Sequence, residues 1–145
     1  MKINKEQIKK LIPHRHPFLF VDKCEVIEVG KKGIGYKKFL PDEYFFEGHF
    51  LNNPIVPGVI LVESLAQTAG IVVAKGFKDN SEQSVLFTTI SNAKFRKPVL
   101  PNDNIIFEVS YLNNVRNVYK FYGQAKKENT VMCESTFSAM IISNL

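Results

Sequence analysis

The sequence contains no tryptophan, only two cysteines and no apolar run long enough to cross a membrane. Cys24 and Cys133 lie far apart, without metal-ligand spacing or the density of a disulfide scaffold, so we expect both thiols to be reduced and buried. No apolar signal core follows the charged first residues. These absences argue against the secreted disulfide-rich class and against membrane insertion, and they favour a cytoplasmic location.

The chain has 145 residues with a 45% apolar fraction and shows no low-complexity run, linker or repeat, which predicts one ordered domain over residues 1–145. Its net charge of +5 suits an acidic partner. The basic residues are scattered, however, and no helix-turn-helix or zinc pattern accompanies them. We therefore do not expect nucleic-acid binding.

The stretch from Gly58 to about Gly76 is predicted to form one long helix. Pro57 suits the start of a helix, and the step from Gly76 to Phe77 suits its end. Apolar side chains recur almost all the way round this helix instead of forming one stripe. We therefore expect a helix that is covered by protein on most sides.

Glu63 lies on this helix, where an isolated charge is costly. A buried carboxylate responds by raising its pKa or by finding a partner, and a carboxylic acid that stays protonated near neutral pH can serve as a general acid. The alternative is a glutamate on one solvated stripe of the helix, beside Ser64, Gln67 and Thr68. The helix alone does not decide between the two interpretations.

His49 lies in a Gly-His-Phe loop shortly before the helix and supplies a base that titrates near neutral pH. The helix start, at Pro57 and Gly58, adds free backbone N–H groups and the positive end of the helix dipole, which suit a carbonyl oxygen that gains negative charge. Gly58 has no side chain and lets a substrate approach the backbone. An acid, a base and an oxyanion site are therefore predicted around one helix start.

Three motifs follow one another along nearly the whole chain. They are Pro13-His14-Arg15-His16-Pro17-Phe18-Leu19-Phe20-Val21-Asp22; Gly48-His49-Phe50 followed by Pro57-Gly58-Val59 and Glu63-x-Leu65-Ala66-Gln67; and Ala93-Lys94-Phe95-Arg96-Lys97-Pro98-Val99 with Pro101 and Asp103. In sequence and order they resemble the 3-hydroxyacyl-[acyl-carrier-protein] dehydratases of the FabZ type in type II fatty-acid synthesis, which have the hotdog fold.

The resemblance implies a lyase that removes water from a (3R)-3-hydroxyacyl-[acyl-carrier-protein] to give the trans-2-enoyl thioester in fatty-acid elongation. It implies His49 as the base, Glu63 as the acid and the Gly58 N–H as the donor to the enolate oxygen, while Gln67 could hold the Glu63 carboxyl or simply pack. His49 and Glu63 would meet across a homodimer interface, within a trimer of dimers. The elimination needs no metal and no organic cofactor.

Two positions depart from the family pattern. Leu51 stands where the family usually has proline after Gly-His-Phe, and His16 stands where it usually has tyrosine or phenylalanine. Neither position carries a catalytic group. The departures therefore concern the rate and the preferred chain length more than the reaction type.

The rest of the sequence predicts an α+β protein. Asn4 is expected to cap a short helix that ends before Pro13 and carries four apolar residues, Ile3, Ile8, Leu11 and Ile12. A hairpin is expected within 23–40, a loop over 41–53 and a polar loop over 79–83. Strands are predicted over 85–95, 104–113, 117–126 and 130–143. An antiparallel sheet wrapped around the long helix, as in the hotdog fold, would bury both.

Two further groups of residues carry expectations about the substrate. Aromatic side chains are candidates for an apolar acyl tunnel, with core packing as the alternative for each: Phe18, Phe20, Phe50 and Phe87. The resemblance places docking of the acidic acyl carrier protein at the end of a predicted strand, on Lys94, Arg96 and Lys97. Other lysines could equally be solvated residues at a strand edge: Lys31, Lys32, Lys37 and Lys38.

His14 and His16, one residue apart between two prolines, invite interpretation as a metal site. No third ligand lies at a recognisable spacing. We therefore expect loop histidines with a structural role or a place at the edge of the substrate site.

Two other kinds of function remain open. A hotdog thioesterase generally lacks the Gly48-His49-Phe50 loop, and an isomerising dehydratase usually carries aspartate at the position of Glu63. A non-catalytic acyl-thioester sensor would need an attached DNA-binding segment or a ruined site, whereas this chain keeps both His49 and Glu63. Dehydration is therefore the function that the sequence favours.

Overall fold

One long helix packs against a seven-stranded antiparallel sheet in the computed structural model of the chain, which describes residues 1–78 and 81–143. The helices are α1 (Lys5–Ile8) and α2 (Gly58–Ala74), with a 3-10 turn at Tyr44–Glu47. The strands are β1 (Lys2–Ile3), β2 (Lys23–Glu28), β3 (Lys32–Lys38), β4 (Ser84–Phe95), β5 (Asn104–Val115), β6 (Val118–Lys127) and β7 (Thr130–Ile142). Their order in the sheet is β1-β2-β3-β5-β6-β7-β4, which is the α+β arrangement predicted from the sequence.

The boundaries of the main elements follow the predictions closely. Helix α2 begins at Gly58 and ends at Ala74, slightly before the predicted end near Gly76. The hairpin of β2 and β3 is confirmed, and β4 to β7 begin and end within two residues of the predicted bounds. Of the predicted polar loop 79–83, Asp79 and Asn80 lie outside the described residues, and 81–83 has no regular structure.

Helix α1 is shorter than the apolar spacing suggests. Asn4 is its cap, as predicted: the Asn4 side chain accepts a hydrogen bond from the Gln7 backbone at 2.9 Å, and the Gln7 side chain accepts one from the Asn4 backbone at 2.9 Å. Ile3 lies outside the helix, because β1 pairs with β2 and sets Ile3 opposite Cys24. The helix starts as predicted after Asn4, and its shortening is at the other end, where regular helix stops at Ile8 and residues 9–11 form turns.

Helix α2 is covered on nearly every side, which confirms the prediction of a buried helix. The alternative of a solvated stripe is wrong, because Ser64, Gln67 and Thr68 are fully buried. Both hydroxyls are satisfied within the helix: the Ser64 Oγ donates to the Ile60 carbonyl at 2.7 Å, and the Thr68 Oγ1 donates to the Ser64 carbonyl at 2.9 Å. Polar residues can therefore lie in this interface without facing water.

The sheet approaches α2 most closely where strands carry glycine. A Cβ at Gly35 would lie 2.4 Å from the Thr68 Oγ1, and one at Gly33 would lie 2.4 Å from a Val72 methyl carbon. Both distances are far below van der Waals contact. The missing side chains therefore let β3 lie directly on the helix.

Three of the four lysines that were candidates for a strand edge, Lys32, Lys37 and Lys38, lie within β3 and not on a sheet edge. Strand β3 is internal, between β2 and β5, so the solvated-edge interpretation is wrong for the lysines that lie within it. Lys37 is buried, and its Nζ lies 3.1 Å from the Glu43 Oε1. A buried ammonium needs such a partner, because its desolvation is otherwise uncompensated.

Strand β4 forms one edge of the sheet and pairs only with β7. It is exposed along most of its length and presents large apolar side chains: Leu86, Phe87, Ile90 and Phe95. A long exposed strand edge with apolar residues is a surface that folded proteins normally cover.

Both cysteines are free and buried, as the sequence predicts. Burial raises the pKa of the Cys24 thiol to about 12 and that of the Cys133 thiol to about 11. Neither is therefore a reactive thiolate near neutral pH. Among residues 1–78 and 81–143, no helix has both the length and the apolar character that crossing a membrane requires.

The contact between Gly35 and helix α2 predicts a stability effect. Gly35→Ala should lower the free energy of unfolding by about 1–3 kcal/mol, because the new methyl group overlaps the Thr68 side chain. Urea unfolding at one fixed protein concentration measures this loss. Gly48→Ala is the control, since a Cβ at Gly48 meets nothing within 4 Å and should change stability little. Equal effects of the two substitutions would contradict the packing argument.

Candidate active site

His49 lies in the loop between the 3-10 turn and α2, in a fixed orientation. Its Nδ1 lies 2.8 Å from the Ile55 carbonyl oxygen, and its ring stacks on Phe50 with a centroid distance of 4.1 Å. Because a carbonyl oxygen can only accept, Nδ1 carries the hydrogen, and in the neutral ring Nε2 holds the free lone pair. The loop therefore presents His49 as a base at Nε2.

The start of α2 faces the same open cavity as His49. The cavity has a volume of about 350 Å³, and its lining includes His49, Gly58, Val59 and Phe95. Pro57 precedes the helix without a side-chain cap, so the first backbone N–H groups are not satisfied by a capping side chain. A Cβ at Gly58 would lie 2.5 Å from the Phe95 ring, so only glycine leaves this helix start open.

Glu63 is held on α2 by two neighbours. Its Oε2 accepts a hydrogen bond from the Gln67 Nε2 at 2.9 Å, and the His14 Nε2 lies 3.5 Å from the same oxygen. Burial raises the pKa of the Glu63 carboxyl, while the Gln67 hydrogen bond partly opposes that rise. The environment therefore favours the protonated form, which is the form that an acid needs.

Gln67 connects the helix to the segment that precedes β2. Its Oε1 accepts from the Phe20 backbone N–H at 2.8 Å, and its Nε2 donates to the Phe18 carbonyl at 3.0 Å as well as to Glu63. Of the two roles left open for Gln67, holding the Glu63 carboxyl therefore agrees with the geometry. The same amide also fixes the neighbouring backbone.

His14 lies in a loop, as expected, but its contact with Glu63 was not predicted from the sequence. Its pKa is lowered, first by burial and then by the neighbouring Arg15 guanidinium, so the neutral ring is favoured. Residues 1–78 and 81–143 contain no cluster of three or more His, Cys, Asp or Glu side chains that could hold a metal ion. One feature of the sequence could have indicated this contact. His14 belongs to the same motif as Phe18, whose carbonyl accepts a hydrogen bond from Gln67, and Gln67 is the neighbour of Glu63 on the helix.

His49 and Glu63 do not meet within one chain. The ion pairs and hydrogen bonds of the described residues join Glu63 to His14 and Gln67, and join the His49 ring to Ile55. Glu63 also lies five residues beyond Gly58, which is about 7.5 Å along the helix and about 140° around it. The lining of the cavity therefore includes His49 and the helix start but not Glu63.

The predicted tunnel residues lie in different environments. Phe20 is fully buried in the core, and the Phe18 ring packs against it edge-on with a centroid distance of 4.8 Å. Phe18, Phe50 and Phe87 are exposed to solvent. A tunnel role stays a prediction for all four.

The predicted docking residues are exposed at the end of β4. Lys94 lies in the strand, and Arg96 and Lys97 follow it. The Arg96 Nη2 lies 2.7 Å from the Glu134 Oε1 on the neighbouring strand β7. This ion pair is exposed on the arginine side, so Arg96 remains accessible to a partner.

Fold and site together define a hotdog-like protein in which an imidazole, a helix start and a buried carboxyl are the reactive features. A family model described as a FabA-like domain matches residues 12–136. A Granulibacter bethesdensis protein named 3-hydroxyacyl-[acyl-carrier-protein] dehydratase FabZ is 43% identical over 136 residues, which are 93% of this chain and 80% of that protein. A Rhizobium etli protein of the same name is 44% identical over 136 residues, with coverage of 94% and 87%. The chain therefore belongs to the FabA-like family and is related to its FabZ dehydratases.

A solved structure supports the same fold at much lower sequence identity. The dehydratase heterocomplex ApeI:P from Xenorhabdus doucetiae matches with a TM-score of 0.76 and 14% identity, over 92% of this chain and 89% of that one. At this identity the match concerns the fold alone. With the family match, it confirms the hotdog fold predicted from the sequence.

The Gln67 contacts predict a penalty for removing its amide. Gln67→Leu should lower the free energy of unfolding by about 1–3 kcal/mol, because the buried Phe20 N–H loses its acceptor. Gln124→Leu is the matched control, since Gln124 is half-buried on the sheet and water can replace its bonds to Tyr122 and Glu134. Urea unfolding of both variants is the measurement. A Gln67 loss no greater than the Gln124 loss would contradict the assigned role.

Proposed function

We propose that this protein is a hydro-lyase that converts (3R)-3-hydroxyacyl-[acyl-carrier-protein] to the trans-2-enoyl thioester in fatty-acid elongation. Identity of about 43% to FabZ dehydratases over most of the chain supports the reaction. The structural observation that carries it is the carboxyl of Glu63, whose pKa is raised by burial on the same helix whose open start lies beside His49. Such a site can supply an acid, a base and an oxyanion donor to one substrate.

The first half of the mechanism uses His49 and the start of α2. The substrate thioester oxygen accepts a hydrogen bond from the Gly58 N–H, and the Nε2 of His49 removes the C2 proton. The Nδ1 contact with the Ile55 carbonyl keeps the ring in the tautomer that this step requires. The helix dipole stabilises the negative charge that develops on the thioester oxygen.

The second half uses Glu63. Its protonated carboxyl delivers a proton to the C3 hydroxyl, which leaves as water while the C2–C3 double bond forms. Burial raises the pKa of this carboxyl above its usual value, which favours the protonated form that can give its proton to the leaving hydroxyl.

We propose that the working site forms between two chains, with His49 from one and Glu63 from the other. Two observations support this arrangement: neither residue contacts the other within the described chain, and the exposed apolar edge at β4 needs a cover. A twofold homodimer would then contain two equivalent sites. Three such dimers form the full assembly that the family resemblance implies.

The acyl carrier protein is the proposed partner, bound through Lys94, Arg96 and Lys97. These residues are exposed beside the cavity of His49, of which Arg96 and Lys97 are part of the lining. An acidic carrier would dock there and direct its acyl chain towards the helix start. The acyl tunnel would use Phe18, Phe20, Phe50 and Phe87.

We further propose that residues 1–145 act as one hotdog dehydratase domain in the cytoplasm. Contacts between α2 and strands β2 to β7 support a single packing unit. The two free thiols suit a reducing compartment. The proposed chemistry uses no metal, no organic cofactor and no nucleic acid.

The purified protein should convert 3-hydroxyacyl-carrier-protein to the trans-2-enoyl product. The assay follows loss of water by mass with a short and a long acyl chain, and it determines the position of the double bond. Release of a free acid would instead indicate a thioesterase, and a 3-enoyl product would indicate an isomerising dehydratase. Tight binding without turnover would indicate a sensor.

His49→Ala and Glu63→Gln should each lower turnover by roughly two to four orders of magnitude, because each removes one proton-transfer group. Glu63→Gln should fold at least as stably as the wild type above neutral pH. A buried carboxyl with a raised pKa binds its proton more tightly in the folded state, so its contribution to stability is lost as pH rises through the folded pKa. Wild-type rates in either variant would contradict the mechanism.

Co-assembly of the two inactive variants tests whether the site lies between chains. A mixed dimer would contain one intact site, so an equal mixture should recover about one quarter of the wild-type activity. The control is each variant assembled alone, which should stay inactive. No recovery, with mixed dimers shown by two affinity tags, would mean that His49 and Glu63 act within one chain.

A further inference from the structure

The loop histidine His14 lies against the Glu63 carboxyl and has no part in the chemistry described above. Its side chain is only 13% exposed, and its Nε2 lies 3.5 Å from the Glu63 Oε2. The other ring nitrogen, Nδ1, is the one buried side-chain nitrogen or oxygen of residues 1–78 and 81–143 that lacks a hydrogen-bond partner. A buried imidazole with one unsatisfied nitrogen is costly, so its other nitrogen is expected to make a useful contact.

The unsatisfied Nδ1 indicates the tautomer of the ring. A buried N–H without an acceptor is rarer in proteins than a buried lone pair without a donor. The hydrogen of the neutral ring therefore lies on Nε2 and points to the Oε2 of Glu63. A small movement of either side chain shortens the 3.5 Å contact to a normal hydrogen bond.

The backbone around His14 is firmly held, so this contact is built into the fold. The Arg15 Nη1 donates to the carbonyls of Ile12 and His14 at 2.9 and 2.8 Å, and its Nη2 donates to the Lys9 carbonyl at 2.8 Å. The Arg15 guanidinium also lies 3.5 Å from Glu82, so its contacts are with groups other than Glu63. Among the charged and titratable groups on described elements around α2, His14 is the one whose side chain lies within ion-pair distance of that carboxyl.

The two carboxyl oxygens of Glu63 therefore differ. Oε2 receives the Gln67 amide and faces His14, whereas Oε1 accepts no hydrogen bond from the part of the chain that the structure describes. Oε1 is also accessible. If it were buried, it would be a second buried atom without a hydrogen-bond partner, and among the described residues the His14 Nδ1 is the one atom of that kind. An oxygen that accepts the Gln67 amide and faces a second donor is a poor place for the carboxyl proton.

We propose that His14 is a positioning residue that, together with Gln67, anchors Oε2 of Glu63 and so assigns the transferable proton to Oε1. This inference rests on the proposed function. In the reaction, the C2 proton passes to His49 and the C2–H electron pair forms the C2–C3 double bond. The C3–O bond breaks as that oxygen takes the Oε1 proton and leaves as water. Return of the proton from His49 to Glu63, directly or through solvent, restores the site.

The test compares His14→Gln with His14→Leu. Glutamine carries its N–H donor close to the place of the imidazole Nε2, while leucine fills the space without a donor. Positioning by His14 predicts that His14→Leu lowers kcat by about tenfold or more with KM within about twofold, and that His14→Gln retains most of the wild-type kcat. A packing role predicts the opposite order, because leucine suits a buried site better than an amide.

A titration of Glu63 tests the inference independently of turnover. In protein labelled with ¹³C at the glutamate carboxyl carbon, the Glu63 signal is assigned by its absence in Glu63→Gln. Loss of the donor should move the Glu63 midpoint to higher pH in His14→Leu, because the carboxylate is less stabilised, and His14→Gln should restore it. His16→Gln and His16→Leu are matched controls on the same loop and should leave the midpoint unchanged.

An unchanged kcat and an unchanged Glu63 midpoint in His14→Leu would overturn the inference, as would equal damage in His14→Gln and His14→Leu. If circular dichroism shows that the His14→Leu variant does not fold, His14→Asn replaces it. Its amide is too short to reach Glu63, so it should behave as the donor-free variant, and wild-type behaviour there would also overturn the inference. Wild-type protein without dehydratase activity would contradict the proposed function, while the titration would still decide the role of His14.

Discussion

Burial of helix α2 against the sheet is the constraint on which the rest of this structure depends. The helix is covered by strands on nearly all sides, and glycines on β3 allow contact at a distance that no larger residue would permit. In such an interface a polar group must be satisfied by protein, because water does not reach it. Ser64 and Thr68 meet this demand through their own helix, and Gln67 meets it through the segment at Phe18 and Phe20.

The chemistry of the site follows from the same constraint. Glu63 is the carboxyl of this helix, and it lies where the cover is incomplete, so it is buried enough for its pKa to rise and open enough to reach a substrate. Gln67 is neutral and the lowered pKa of His14 favours its neutral form, so neither neighbour is a cation that would stabilise the carboxylate form of Glu63. His49 and the helix start at Gly58 line one cavity, whereas Glu63 lies further along the helix and is not part of the lining of that cavity.

Much of this could be predicted from the sequence, because local patterns specify it. The cap at Asn4, the helix start at Gly58 and the alternating strands each follow from the types of a few adjacent residues. The prediction failed where the environment depends on distant segments. Ser64 was a candidate for a solvated stripe of the helix but is buried. Lys37 was a candidate for a strand edge but lies inside the sheet beside Glu43. The contact of His14 with Glu63 joins segments 49 residues apart in the chain, and no local pattern encodes it.

Strand β4 is synthesised before the strand with which it pairs. Strand β4 pairs with β7, with Ser84 opposite Ile142 and Phe95 opposite Cys133, and β5 and β6 lie between them in the sequence, so the partner of β4 is synthesised well after it. Until then, both β4 and the strand-facing side of α2 lack their cover. Contacts between residues so far apart in sequence form slowly, and exposed apolar surface in the interval favours aggregation. The nascent chain is therefore most vulnerable to aggregation between the synthesis of β4 and the synthesis of β7, when the long apolar helix is complete and the sheet is not.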